Sequence, residues 1–104
     1  MDFELRTIAG CPHETSAGEL FARAVALETD GQTVPALRQV NSDAEALELG
    51  FHGSPTFTAN GEDLFPSNTE PAVSCRVYAT PDGLAGQPTL ETLRAAIQTV
   101  LAKR

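Results

Sequence analysis

Phe3-Glu4-Leu5-Arg6-Thr7-Ile8-Ala9-Gly10-Cys11-Pro12-His13-Glu14 is the stretch that decides the fold. Its first seven residues alternate apolar and polar, with Phe3, Leu5 and Thr7 on one face and an apolar finish at Ile8-Ala9. That pattern predicts a strand over 3–9, stopped by Gly10. Pro12 suits the first turn of a helix, where its missing N–H costs nothing. From Glu14 to Glu28, Leu20, Phe21, Ala24, Val25 and Leu27 recur at helical spacing, and Asp30-Gly31 supplies a C-terminal stop.

Working outward, Val34 to Val40 predicts a second strand, with Pro35 near its start as an edge position tolerates. The strand–helix–strand order implies two parallel strands and a right-handed crossover. Asn41-Ser42-Asp43 offers capping side chains, and Glu45 lies where a capping box with Ser42 needs it, so a short helix is expected over 43–49, ended by Gly50. Thr56 to Ala59 reads as a third strand and Asn60-Gly61 as a tight turn. Glu62 to Glu70 reads as a loop. Val73 to Ala79 is β-rich and predicts the fourth strand, closed by Pro81-Asp82-Gly83. Thr89 caps a last amphipathic helix with Leu90, Leu93, Ile97, Val100 and Leu101 on one side, and Lys103-Arg104 suit its C-terminal dipole. The expectation is one α/β domain over 1–104, ordered β-α-β-α-β-β-α, with a four-stranded mixed sheet and helices on both faces.

Composition narrows the function classes. The chain of 104 residues carries 14 acidic and 7 basic side chains, a net charge of −7. Its Lys and Arg residues are scattered rather than clustered, which argues against nucleic acid and anionic membranes as partners. The residues after Met1, Asp2-Phe3-Glu4-Leu5, have neither a basic region nor an apolar core, and no apolar run approaches the ~20 residues that span a bilayer. A cytoplasmic protein is expected. Two cysteines are too few for a disulfide scaffold, so Cys11 and Cys75 become the first candidates for chemistry. The acidic side chains Glu45, Glu48, Glu62 and Asp63 read as a solvated face, and Arg76 and Tyr78 as ordinary strand residues.

The strand ending in Gly10-Cys11-Pro12-His13, together with Ser54-Pro55-Thr56 opening the third strand, resembles the thioredoxin-like superfamily over nearly the whole chain. The resemblance implies a cis-proline at Pro55 facing the Cys11 motif, with Pro12, Ser54, Pro55 and Thr56 lying against a substrate chain. It implies thiol–disulfide exchange or thiolate binding centred on Cys11, with no cofactor and with a disulfide-bearing protein or small thiol as partner. The sequence departs from the dithiol pattern in one respect. Glu14 stands where a second cysteine would be, which leaves Cys75 as the candidate second thiol.

Each candidate also has a plain structural reading. A thiol directly before a helix is favoured as thiolate, yet free cysteine also packs like a small apolar side chain. Cys75 shares strand parity with Val73 and Val77, so it reads equally as a core residue and as a resolving thiol. His13 is an acid–base candidate beside Cys11, and His52 precedes the turn into Pro55. Glu14 suits the helix dipole. A narrower resemblance links Cys11, Glu14 and Cys75, with Ser74-Cys75-Arg76-Val77-Tyr78, to the two-cysteine-plus-carboxylate site of organomercurial lyases. It implies handling of mercury compounds, with Glu14 as proton donor. A redox-inactive thioredoxin-like binding module is the third reading, since fold alone does not give function.

Overall fold

The alternation of the opening segment places it at the centre of a sheet. In β1 (Phe3–Thr7), Phe3, Leu5 and Thr7 are buried on one face. The computed structural model describes residues 1–103; Arg104, expected with Lys103 at the last helix terminus, lies outside them. The chain continues through α1 (Glu14–Thr29), β2 (Ala36–Gln39), α2 (Asp43–Leu49), β3 (Thr56–Ala59), β4 (Glu62–Asp63), β5 (Tyr78–Thr80), β6 (Gly83–Ala85) and α3 (Leu90–Ala102). The first four strands form one mixed sheet in the order β2-β1-β3-β4. β1 runs parallel to β2 and antiparallel to β3, and β3 pairs antiparallel with β4. α1 supplies the crossover that a parallel pair requires. Asn60 and Gly61, both at positive φ, form the tight turn between β3 and β4.

Helices cover both faces. Ala17, Phe21, Ala24 and Val25 of α1 and Leu93 and Ile97 of α3 pack over Phe3, Leu5, Phe57 and Ala59. Aromatic rings run through this layer edge to face, Phe21 meeting Phe57 at 5.1 Å and Phe57 meeting Tyr78 at 5.8 Å. Each such pair adds roughly 0.5–1.5 kcal/mol beyond its buried area. Arg94 of α3 donates to Glu28 of α1 at 2.7 Å, bracing the two helices and holding the Glu28 carboxyl below its ordinary range. On the opposite face, Ala46 of α2 joins Val40 and Phe51, with Ile8 and Leu49 packed against them. Arg6 also points to that side, donating to Leu49 O at 3.2 Å and to Glu4 at 2.7 Å.

Helix ends follow the capping residues. Ser42 Oγ accepts from Glu45 N–H at 3.1 Å, and Thr89 Oγ1 accepts from Thr92 N–H at 3.1 Å. Glu45 reaches back to Asn41 N–H at 2.7 Å, one residue beyond the reciprocal bond of a capping box. α1 has no side-chain cap; His13 is its N-cap residue, and Pro12 lies outside the first turn where the sequence predicts it.

The fourth strand is the main correction. It is Glu62–Asp63, inside the predicted loop, and the predicted strand over 73–79 is not part of the sheet. A two-residue turn at Asn60-Gly61 forces Ala59 opposite Glu62 and Thr58 opposite Asp63, so those residues occupy the free edge of β3 first. The β-rich run instead meets residue 54 through a single bridge at Cys75, and its end forms β5, which pairs with β6 around Pro81-Asp82. Of the strand expected over 73–79, only Tyr78 and Ala79 are in a strand and Cys75 makes one bridge; the rest is irregular, and none of it joins the four-stranded sheet.

Candidate functional site

Ser54 is the node of the candidate site. It is buried, and its Oγ accepts a hydrogen bond from Ile8 N–H at 3.2 Å, just past the end of β1. The same turn carries Cys11, whose N–H donates back to Ile8 O at 3.2 Å. Ser54 N–H donates to Ser74 O at 2.8 Å, and Arg76 N–H donates to Ser54 O at 3.0 Å, so Cys75 is the direct bridge partner of Ser54. One backbone residue thus connects the segments that carry the two cysteines.

The connection depends on glycine. Gly53 has φ +119°, and a Cβ there would meet Arg76 Cβ at 2.9 Å and the Cys75 carbonyl carbon at 3.3 Å. No other residue type lets residues 53–54 approach the 75–76 backbone this closely. The Ser54–Pro55 bond is cis, as the thioredoxin resemblance implies. Thr56 Oγ1 donates to Gly53 O at 2.5 Å, and the Tyr78 hydroxyl donates to Pro55 O.

Both thiols are free; Cys11 is half-buried and Cys75 is exposed. The core reading of Cys75 is thereby overturned, and its parity partners Val73 and Val77 are exposed as well. Cys11 lies ahead of the first helical turn, since α1 begins at Glu14. His13 turns its ring onto Gly86, where an added methyl would come within 2.1 Å of Nε2. Ser16 Oγ donates to Gln87 at 2.7 Å, so the loop before α3 lies against the start of α1.

Two grooves separate the remaining candidates. His52 and Cys75 line a groove of about 750 Å³ with Phe65, Tyr78 and Pro88, and His52 Nδ1 is buried there without a hydrogen-bond partner. Glu14 lines a different groove, between α1 and β2. The described residues contain no group of three or more His, Cys, Asp or Glu side chains arranged to hold a metal ion. Cys11, His13, His52 and Cys75 are not gathered as a ligand set.

Asp63 and Arg76 differ from the solvated and ordinary strand roles that the sequence suggests. Arg76 Nη1 donates to Asp63 at 2.7 Å, with side chains only 9 % and 13 % exposed, and its Nη2 donates to Phe65 O. Its guanidinium also lies 4.8 Å from the centre of the Tyr78 ring. Asp63 is thus a half-buried counter-ion and not part of a solvated face. Thirteen residues separate the two, and no local pattern announces a pairing made by tertiary packing. Glu45 is likewise engaged, by Arg38 at 3.3 Å as well as by Asn41.

Burial pushes the Tyr78 hydroxyl well above the ordinary tyrosine value of 10.0, with Asp63 adding to the rise and Arg76 opposing it. A raised folded-state pKa contributes stability below the unfolded value, and that stability is lost as pH rises beyond it. The chain has one Tyr and no Trp, so ultraviolet tyrosinate absorbance reports this site alone. Alkaline titration is expected to give no tyrosinate at pH ~10, the ordinary midpoint, and then a rise coincident with unfolding. A smooth titration at the ordinary midpoint in folded protein would show the hydroxyl to be free of Pro55.

No family model, curated protein or solved structure matches this chain. Function is therefore read from the arrangement around Ser54 and from the chemistry of the groups it joins.

Proposed function

We propose that this chain is a thioredoxin-like thiol protein that performs disulfide exchange, with Cys11 as nucleophile and Cys75 as resolving thiol. The observation that carries this reading is the Ser54 node, which bonds to the Cys11 turn through its side chain and to the Cys75 segment through its backbone. The sheet order β2-β1-β3-β4 with its α1 crossover supports the thioredoxin-like assignment, the β5–β6 hairpin being an insertion between β4 and α3.

The chemistry balances with ordinary thiols. The Cys11 thiolate attacks one sulfur of a substrate disulfide, forming a mixed disulfide and releasing the other sulfur as a thiolate that takes up a proton. The Cys75 thiolate then attacks Sγ of Cys11, releasing the second substrate thiol and leaving a Cys11–Cys75 disulfide. Two molecules of a small thiol reduce that bond and become one disulfide themselves. In this scheme the exposed Pro12 lies on the approach of the substrate backbone, whereas Ser54, Pro55 and Thr56, expected from the resemblance to lie against a substrate, are buried and instead shape the turn behind it. His13 and Glu14 make no hydrogen bond to either sulfur, and the scheme assigns them no step.

Diamide oxidation of dilute protein, followed by peptide mapping without reduction, tests the pairing. The expected product is an intramolecular link between the peptides holding Cys11 and Cys75. Intermolecular links alone would overturn the resolving role.

A further inference from the structure

The outer edge of the sheet lies open beside an apolar trough. β2 ends the sheet on its side, and all four of its residues are exposed. Val40 N–H donates to Thr7 O at 2.7 Å across the parallel pair. Alternation along the strand turns the N–H and C=O groups of Leu37 and Gln39 outward, where no strand among the described residues meets them. Leu37 lies opposite Leu5 in register, so its side chain is on the α1 face of the sheet. α1 leaves it uncovered. The helix passes with Gly18 and Ala22, and a methyl on Gly18 would have only Leu5 Cδ2 near it, at 3.9 Å. The missing side-chain volume leaves a trough of about 450 Å³ with Leu5 and Phe21 in its lining. Val34 and Leu37 at its rim are 78 % and 60 % exposed.

Charge selects what fits. Glu14 and Glu19 line the trough, and Asp2 and Glu4 line a smaller depression at the start of β2; neither contains a basic side chain. Glu4 is paired with Arg6, and Arg38 of β2 is engaged by Glu45. A second copy of this chain, with its net charge of −7, would set these carboxylates against their own equivalents. We propose that the β2 edge captures an extended segment of a partner protein that carries apolar side chains flanked by Lys or Arg. The segment adds as a further strand, its backbone bonding to Leu37 and Gln39, an apolar side chain entering the trough, and its cations meeting Glu14 and Glu19.

The probe is the capped peptide acetyl-Lys-Thr-Val-Thr-Leu-Thr-Lys-amide, titrated into isotope-labelled protein and followed by amide shifts. Shifts are expected at Leu37, Gln39 and the Gly18–Ala22 stretch. Gly18→Leu fills the trough and places a better helix former in α1, so it weakens binding about tenfold or more without lowering the unfolding midpoint. Val34→Asp, at an exposed rim position, gives a loss of the same sign should Gly18→Leu misfold. Four results would overturn the proposal: no shifts at millimolar peptide, equal binding of the analogue with Glu at both ends, binding unchanged in both variants, or a dimer of the chain in sedimentation that Val34→Asp abolishes.

Discussion

Replacing Cys11 by Ser is expected to reduce catalysed disulfide exchange to the background rate, because a hydroxyl at neutral pH supplies no thiolate to attack sulfur. Cys75→Ser separates the two halves of the scheme. It keeps the first attack and stalls afterwards, so protein incubated with a model disulfide gains one stable adduct on Cys11. Wild type under the same conditions releases both substrate thiols and carries the Cys11–Cys75 bond. Intact-protein mass spectrometry with and without reductant distinguishes these species. Unfolding midpoints should move little in either variant, since neither thiol is among the buried residues of the core. Exchange that survives in Cys11→Ser would favour a redox-inactive binding module instead.

The largest stability loss is expected from Arg76→Met. Removing the guanidinium leaves the Asp63 carboxylate with 13 % exposure and no cation at 2.7 Å. Breaking one side of a fully buried pair costs roughly 3–5 kcal/mol; for this part-buried pair about 2–3 kcal/mol is expected, still a large share of the ~5–15 kcal/mol that holds a domain together. The loss includes the bond to Phe65 O and the contact with the Tyr78 ring. A urea melt should show the midpoint fall at nearly constant slope. The double variant Arg76→Met with Asp63→Leu should recover part of the loss, because the orphaned charge goes with its partner. A single-variant loss below about 1 kcal/mol would mean that solvent screens the pair as it does on a surface.

The sequence by itself determined the parts governed by local rules. Alternation in Phe3–Thr7 made β1, period and stop residues made α1 to within a residue, and the Ser42 cap and Gly50 bounded α2 where expected. Asn60-Gly61 made a tight turn, and Cys11 follows β1 at the end of the sheet where Ser54-Pro55 leads into its neighbour β3, as the thioredoxin-like resemblance implied. Tertiary structure decided every matter of partnership. The turn at Asn60-Gly61 gave the β3 edge to Glu62–Asp63, and that displaced the run over 73–79 onto Ser54. Only then did Arg76 meet Asp63, Tyr78 reach Pro55, and Cys75 settle at an exposed position, a choice its parity had left open between core residue and accessible thiol. Hydrophobic period and capping act within a few residues of chain and leave a local imprint. A half-buried ion pair or a single backbone bridge joins residues distant in sequence, and its energy exists only once packing has brought the two together and limited their access to water.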